Sequence, residues 1–369
     1  MIASIQYLRG VAALLVVFYH LRGLLSFPIG TIPNLGDFLF SQGYIGVDLF
    51  FLISGFVIVL STEKDSLVSS FISKRFFRIY PLYAFCLLSV LFLSSNNYTP
   101  SQITRAALLI HSNYSDVAPW FGYSIVQVAW TISYEILFYV IFCASMSISH
   151  KYRVALSSFF IAVMIYAINL FFGGTASLNG YYSIQPSYGV LRFMSSPMLY
   201  EFIVGMMVAL FYINKEKFDS IRFFVPALSS VGVMYFILFY FSSGISGFGH
   251  GLSNSGIAAF SLFLSLLLIE VFYGFRESRI LKVLGDLSYS IYLNQAIVSA
   301  VSSHVIGAVV IVGQVGSMLI QVFLILTLSI ITYFYIEKPS VAVARKVITI
   351  ISNLAYKQKV KDWRFTGAI

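Results

Sequence analysis

The sequence predicts an all-α protein: a polytopic transmembrane helix bundle of about ten spans with both termini in the cytoplasm. Composition carries the first part of this prediction. The chain is 59% hydrophobic and only 10% charged, with a mean hydropathy of +0.88, whereas soluble domains carry about 25% charged residues. The distribution of Lys and Arg between the apolar segments carries the second part, because it indicates which loops face the cytoplasm.

Ten apolar segments are long enough to cross a bilayer as helices. They are residues 10–27, 43–61, 79–94, 124–147, 154–173, 191–213, 223–242, 255–274, 287–312 and 316–336. The stretch 100–112 is apolar but too short to span, so we expect an interfacial helix there. Residues 1–339 form the predicted membrane domain, and residues 340–369 a basic amphipathic tail on the cytoplasmic membrane surface.

The basic residues give the predicted orientation. If Arg9 is cytoplasmic and the spans alternate, only Arg22, Arg105 and Arg192 of the 23 Lys and Arg residues fall outside or at the outer boundary. This asymmetry follows the positive-inside rule. A basic inner face suits anionic membrane lipids, so the net charge of +9 needs no nucleic-acid partner.

Several kinds of site have no support in the sequence. Cys86 and Cys143 both lie in apolar runs, so we predict neither a disulfide framework nor a metal cluster. The chain has no P-loop, no dinucleotide-binding glycine pattern and no zinc-ligand spacing. We therefore predict no metal and no permanently bound cofactor.

The first span combines a cation at its start with an imidazole in its interior. Arg9 and His20 are eleven residues apart, which is about 16 Å along a helix and about half of the hydrocarbon thickness of a bilayer. An ionisable group at that depth is by default a functional candidate. The alternative is a structural His20, hydrogen-bonded to a neighbouring helix.

Four carboxylates fall within the predicted spans, namely Asp48, Glu135, Glu201 and Glu270. Asp48 lies at a depth close to that of His20, and a carboxylate beside an imidazole fixes its tautomer and raises its basicity. Glu135 could do the same, and depth alone does not choose between them. Either carboxylate could instead neutralise an arginine. Glu270 is close to a cytoplasmic helix end, where we expect it to reach water.

Arg75 and Arg78 are separated by one helical turn before the third span. Guanidinium groups are suited to bidentate recognition of phosphate. With Arg9 and Lys74 nearby in the predicted topology, four cations can converge on one cytoplasmic opening. The alternative is that these residues only follow the positive-inside rule.

The segment from Gly285 to Tyr289 begins the ninth predicted span at its cytoplasmic end. Ser288 and Tyr289 offer hydroxyl groups to a ligand that enters from the cytoplasm. The alternative is that Asp286 or Ser288 caps the helix.

Six segments, in order along the chain, form a recognisable set. They are Arg9 to His20 with the spacing R/K-x10-H, GVDLFFLISGF from Gly46, KRFFRIYP from Lys74, WTISYEILFY from Trp130, LGDLSYSIYL from Leu284 and IEKP from Ile336. Together they resemble acyltransferase family 3, integral-membrane enzymes that O-acylate bacterial cell-surface carbohydrates. The resemblance covers the chain from Gln6 to Pro339.

This resemblance implies a membrane O-acyltransferase, most simply an O-acetyltransferase, in the bacterial cytoplasmic (inner) membrane. The implied donor is cytoplasmic acyl-CoA, here acetyl-CoA. The implied acceptor is a hydroxyl of a surface or exported carbohydrate, such as lipopolysaccharide, exopolysaccharide or a lipid-linked glycan. The donor-binding residues would be Arg9, Arg75, Arg78, Ser288 and Tyr289.

In the same interpretation His20 is the general base, oriented by Asp48 or Glu135. A nucleophilic His20 that carries the acyl group briefly is the alternative. The candidate oxyanion donors are Ser54, Tyr134 and Trp130.

The chain departs from the family pattern at two positions. The segment after G-x-x-S-Y often reads Y-L-x-H, whereas here Asn294 and Gln295 end it, so a second histidine is missing. Ile136 stands where a second acidic residue often follows Glu135. A proton-coupled transporter of a small molecule or glycan is the competing class, although no internal repeat is visible.

Overall fold

The computed structural model describes residues 2–94, 96–242, 249–302 and 306–351. Its helices, numbered in chain order, are α1 (Ala3–Leu21), α2 (Leu35–Phe40), α3 (Ile45–Ser61), α4 (Val68–Leu93), α5 (Pro100–Ala107), α6 (Trp130–Ile148), α7 (Arg153–Phe171), α8 (Val190–Met194), α9 (Leu199–Ile213), α10 (Val225–Phe241), α11 (Ser255–Tyr273), α12 (Arg279–Ser302) and α13 (Ile306–Thr332). After α13 the chain stays helical to Ile351 through a π-helical turn, Tyr333–Glu337.

The predicted multi-pass helical architecture is confirmed. Within the described ranges, nine helical segments are long and apolar enough to cross a membrane. The remaining predicted span, the ninth (residues 287–312), corresponds to α12, 24 residues long, which is less apolar because it carries Asp286, Asn294 and Gln295. It packs against α1, α4 and α13, so its polar groups face other helices.

The bundle has two distinct ends. At the first, which we call the basic end, α1 begins and α11 finishes, and His150 Nε2 lies 2.7 Å from the carbonyl oxygen of Thr62. At the opposite end, which we call the loop end, the long connections meet, and the amide of Gly180 donates to the carbonyl oxygen of His250 at 2.8 Å. The charge asymmetry predicts that the basic end is cytoplasmic.

Several predicted boundaries differ from the structure, among them those of the third and ninth spans and of the interfacial helix. The ninth span was predicted as residues 287–312, whereas α12 is Arg279–Ser302. The third span was predicted from residue 79, but α4 begins at Val68 and contains Pro81, which neighbouring helices allow in a membrane span. The predicted interfacial helix 100–112 is α5, which ends at Ala107 and starts with a capping box between Thr99 and Gln102. Of the predicted tail, residues 340–351 are helical, and residues 352–369 lie outside the described part of the chain.

Small residues let the central helices approach closely. A β-carbon added at Gly285 of α12 would collide with the backbone oxygen of Gln6 in α1. A β-carbon at Gly205 of α9 would collide with the backbone oxygen of Leu52 in α3. Such contacts stabilise helix pairs where no hydrophobic effect acts between them. They also fix the faces that α3 and α12 turn toward the rest of the bundle.

Glu270 connects the end of α11 to the start of α1. Its carboxylate accepts hydrogen bonds from the amides of Ala3 and Ser4, both at 2.6 Å. These are amides that a helix start leaves without a partner, and a negative charge there also suits the helix dipole. Glu270 thus caps α1, whereas the sequence indicated only a carboxylate that reaches water.

Candidate active site

A cavity of about 200 Å³ lies at the basic end between α1, α3, α4, α6 and α12. Its wall holds six of the predicted site residues, Arg9, Arg75, Arg78, Glu135, Ser288 and Tyr289. Apolar side chains such as Phe50, Ile79 and Ile132 form much of the remainder. A pocket that is mostly apolar with a few convergent polar groups is the usual form of a small-molecule site.

The three arginines of this cavity are held differently. Arg75 donates to Ser61 Oγ at 2.7 Å and lies over the ring of Tyr139, 5.1 Å from its centroid. Arg9 lies among the charges of Arg78, Glu135 and Glu337. Within the described residues, Arg9 and Arg78 donate no hydrogen bond to a protein group, so their donors are available to a ligand in the cavity.

Lys74, the fourth predicted cation, is engaged elsewhere. Its Nζ lies 2.6 Å from Asp65 Oδ2, and Ser70 donates to the same carboxylate. Partial burial opposes ionisation of Asp65, but the hydrogen bonds from Lys74 and Ser70 lower the pKa of its carboxyl. Lys74 does not line the cavity, so the predicted convergence reduces to three arginines.

The acidic groups beside the arginines are Glu135 and Glu337. Glu135 accepts hydrogen bonds from Ser54 Oγ at 2.9 Å and from the Tyr139 hydroxyl. Glu337 lies in the π-helical turn, is 5% exposed, and accepts from Ser290 Oγ at 2.7 Å. We did not predict Glu337 as a site residue. The signal was a carboxylate two positions before Pro339, at the end of an apolar span.

Ser288 and Tyr289 both line the cavity but differ in their hydrogen bonds. The Tyr289 hydroxyl donates to the carbonyl oxygen of Ile79 at 2.8 Å. Ser288 is fully buried, and its Oγ has no partner among the described residues. A buried hydroxyl without a partner costs roughly 1–3 kcal/mol. This cost makes Ser288 the hydroxyl that a ligand in the cavity would satisfy.

His20 lies outside this cavity, toward the loop end, and is exposed. Its Nδ1 is 2.9 Å from the carbonyl oxygen of Val16 and 2.9 Å from Gln295 Oε1. The amide of Gln295 is oriented by its Nε2, which donates to the carbonyl oxygen of Tyr292 at 2.7 Å. Both neighbours of Nδ1 are therefore acceptors, so we assign the proton to Nδ1. The neutral imidazole then carries its free lone pair on Nε2.

Neither carboxylate predicted to orient His20 reaches it. On α3, Val47, Phe50 and Ser54 face the cavity, whereas Asp48 lies on the face that packs against α9. Glu135 is held at the cavity by Ser54 and Tyr139. The partner of His20 is Gln295, at the position where the sequence lacks a second histidine.

Asp48 instead pairs with His250 from the connection before α11. Asp48 Oδ2 lies 2.8 Å from His250 Nδ1, and Oδ1 accepts from the amide of Gly251 at 3.0 Å. Asp48 is fully buried and His250 is 4% exposed. Glu201 lies beside Asp48 and is also fully buried. His250 was missed because it stands in a glycine-rich loop with no motif around it.

The predicted oxyanion donors are also engaged. The Ser54 hydroxyl donates to Glu135, and the Tyr134 hydroxyl donates to the carbonyl oxygen of Pro119 at 2.9 Å. The ring of Trp130 packs edge-on against His250, with 5.6 Å between centroids. In this structure none of these three described residues has a donor directed at His20.

Tyr292 connects the wall of the cavity to the partner of His20, because it lines the cavity and its carbonyl oxygen accepts from Gln295. The Tyr292 hydroxyl lies 2.8 Å from Thr131 Oγ1 and 3.0 Å from the carbonyl oxygen of Val128, and its ring packs edge-on against Phe50. Tyr292 and Gln295 are one turn apart on α12. The same turn of α12 therefore closes the cavity and holds the imidazole.

Comparison with known proteins supports an enzyme. Residues 2–336 match the family model described as an acyltransferase domain. A protein of Acidianus two-tailed virus, named an acetyltransferase, is 27% identical over 78% of this chain and 81% of its own length. The exopolysaccharide production protein ExoZ of Rhizobium meliloti (strain 1021) is 24% identical over 81% of this chain and 90% of its own length.

A longer relative matches as well. A Staphylococcus aureus (strain COL) protein named an O-acetyltransferase is 22% identical over 92% of this chain, and the match spans 57% of that relative. No solved structure gives a significant match. The family match favours an acyltransferase over the transporter considered as the competing class.

Proposed function

The chain belongs to the membrane acyltransferase family whose model it matches, and from that premise we propose that it moves an acyl group from acyl-CoA to a carbohydrate hydroxyl. The acyl group is most simply acetyl, and the enzyme is a multi-pass protein of the bacterial inner membrane. The acceptor is a surface or exported glycan. The name of the relative ExoZ, an exopolysaccharide production protein, supports this acceptor class.

The observation that carries the proposal is that both neighbours of His20 Nδ1 are hydrogen-bond acceptors. An imidazole whose Nδ1–H is directed at Val16 O and Gln295 Oε1 presents an unprotonated Nε2, as a general base requires. The ring is exposed, so an acceptor hydroxyl can approach it.

In the proposed reaction, Nε2 of His20 takes the proton of the acceptor hydroxyl while that oxygen bonds to the thioester carbonyl carbon. The carbon–sulfur bond then breaks. The imidazolium returns the proton to the leaving thiolate, so the products are an O-acyl ester and free coenzyme A. General acid–base catalysis of this kind contributes typically about 10²–10⁴-fold.

The cavity at the basic end supports coenzyme A as the donor. Among the residues that the structure describes, Arg9 and Arg78 have donors free for phosphate oxygens, and the Ser288 hydroxyl has no partner. Phosphate oxygens form charge-assisted hydrogen bonds with guanidinium groups. The acyl end would extend past Tyr292 toward His20.

His20→Gln tests the proposal. Membranes from cells that lack the gene supply the acceptor, labelled acetyl-CoA supplies the donor, and NMR of the extracted polysaccharide identifies the O-acetyl groups. We expect at least a 100-fold loss of transfer with unchanged thermal unfolding. His150→Gln, at the basic end, is the matched control and should retain activity.

Two results would contradict the proposal. Transfer by a folded His20→Gln protein within a few-fold of the wild type would remove His20 as the base. Stable labelling of His20 by acyl-CoA alone would indicate the nucleophilic mechanism instead.

A further inference from the structure

A second pocket, of about 210 Å³, lies at the loop end. It is formed by α5 and the segment that leads into α6. Its polar wall consists of Gln102, Arg105, Ser112, Ser124 and Gln127. These side chains supply amide, hydroxyl and guanidinium donors, and the lining includes no carboxylate. The pocket therefore favours a neutral or anionic polar ligand rich in hydroxyl oxygens, and disfavours a cation.

An aromatic surface borders this pocket. Trp120 and Tyr123 are stacked, with 5.8 Å between centroids and an interplanar angle of 7°. Tyr181 packs edge-on against Trp120 at 5.5 Å. Tyr123, which lines the pocket, is 53% exposed and Tyr181 is 38% exposed. Aromatic faces carry partial negative charge, and they attract the C–H faces of sugar rings.

This surface is continuous with the surroundings of His20. Tyr123 lies close enough to Tyr19, Asp116 and Arg22 to interact with them electrostatically. Tyr19 packs edge-on against His20, with 5.4 Å between centroids. A ligand that occupies the pocket and stacks on Tyr123 would thus extend toward the imidazole.

We propose that this pocket and the Trp120–Tyr123 surface bind the sugar units of the acceptor, as neutral or anionic carbohydrate, and guide one hydroxyl to His20. The proposal rests on the proposed function for its acceptor class. It adds the location of the acceptor site, the end of the bundle from which the acceptor binds, and the preference for a neutral or anionic saccharide. The donor would bind from the basic end, and the acceptor from the loop end.

Saccharide binding can be tested without any enzymatic activity. The purified full chain is titrated with cellohexaose, hexagalacturonate and chitosan hexaose, and tryptophan fluorescence is followed. We expect saturable changes with the neutral or the anionic oligomer, absent in Trp120→Phe, and weaker binding of the cationic oligomer. Tyr123→Leu should raise Kd at least tenfold, whereas Tyr123→Phe, which keeps the ring, should stay within about twofold.

A second measurement uses transfer to acceptor membranes. Tyr123→Leu should raise the apparent KM for the acceptor at least tenfold and leave the KM for acetyl-CoA unchanged. Tyr235→Leu, at a tyrosine of α10 that is 42% exposed, is the matched control. Thermal unfolding of each variant separates a binding effect from misfolding.

The two measurements fail in different ways. If the wild type transfers acetyl groups but Tyr123→Leu keeps its acceptor KM, the site is overturned and the enzymatic proposal stands. If saccharide binding depends on Tyr123 but no transfer occurs, the enzymatic proposal is overturned and the site stands. Binding of neither the neutral nor the anionic oligomer, or preference for the cationic one, overturns the site.

Discussion

His20 and His250 both hold Nδ1 against a side chain of another segment, but the partners and the exposure differ. His250 is nearly buried and pairs with the carboxylate of Asp48. His20 is exposed and its partner is the neutral amide of Gln295. A buried imidazole–carboxylate pair resembles a structural ion pair, whereas an exposed imidazole with an amide partner keeps Nε2 free to exchange a proton. This difference fits a structural role for His250 and the proposed role of His20 as a general base.

The largest expected effect is on stability. Asp48→Ala should destabilise the folded protein by about 3–5 kcal/mol, because it leaves His250 buried without its charged partner. The measurement is thermal or denaturant unfolding in detergent, with His250→Gln as the companion variant.

A stable but inactive Asp48→Ala protein would break the comparison. It would return Asp48 to the catalytic role that the sequence predicted. The double variant Asp48→Ala/His250→Gln measures the coupling between the two residues. The coupling is the difference between its loss of unfolding free energy and the sum of the losses in the two single variants.

The next effect extends the comparison to the basic end, where Lys74 forms a salt bridge with Asp65. Arg78 forms no salt bridge within the described part of the chain. Arg78→Ala should weaken donor binding by about 1.5–3 kcal/mol, the value of a charge-assisted hydrogen bond. This corresponds to a rise of roughly 10–150-fold in the KM for acetyl-CoA. Lys74→Ala is the control and should leave that KM unchanged. If Arg78→Ala and Lys74→Ala both keep the wild-type KM for acetyl-CoA, Arg78 does not bind the donor. It would then serve only the positive-inside orientation of the chain.

The smallest effect concerns the partner of His20. Gln295→Leu removes one acceptor from Nδ1–H while Val16 O remains, so we expect a loss of about 1 kcal/mol, or roughly fivefold in kcat. Gln295→Glu restores an acceptor and gives His20 a carboxylate partner, the role that the sequence predicted for Asp48 or Glu135. A lowered kcat in Gln295→Leu together with a wild-type kcat in Gln295→Glu would show that His20 needs a side-chain acceptor at this position. An unchanged kcat in Gln295→Leu would show that the carbonyl oxygen of Val16 is sufficient to orient the imidazole.

The multi-span helical architecture could be predicted from the sequence. The length of each apolar segment indicates a spanning helix, and the Lys and Arg residues between the segments indicate its orientation. The cavity residues could also be predicted as a group. Arg9, Arg78 and Ser288 lie near the starts of predicted spans that alternation brings to the same end of the bundle, and all three line the cavity. Their depth along the helices was sufficient to place them together.

The hydrogen-bond partners could not be predicted in this way. The positions of Asp48 and His20 along their helices predict a similar depth in the membrane. Contact between them also depends on the rotation of α3 about its axis, which the close packing of Leu52 against Gly205 determines. Gln295 is uncharged, and only carboxylates were predicted as orienting partners of His20. His250 required a loop connection that no periodicity describes. Rotation and loop paths depend on tertiary packing, and a single sequence does not display them.

The cap on α1 also bears on biosynthesis. Glu270 is 267 residues away in sequence from Ala3, whose amide it accepts, and Gln295 is 275 residues from His20. The helix that carries the imidazole is therefore synthesised long before the groups that fasten its beginning and orient its ring. During translation the first amides of α1 lack the Glu270 carboxylate until α11 has been synthesised, and His20 lacks Gln295 until α12 has been synthesised. A nascent chain that stops before Glu270 would thus contain His20 without Gln295. If His20 is the base, as proposed, acyl transfer requires the completed bundle.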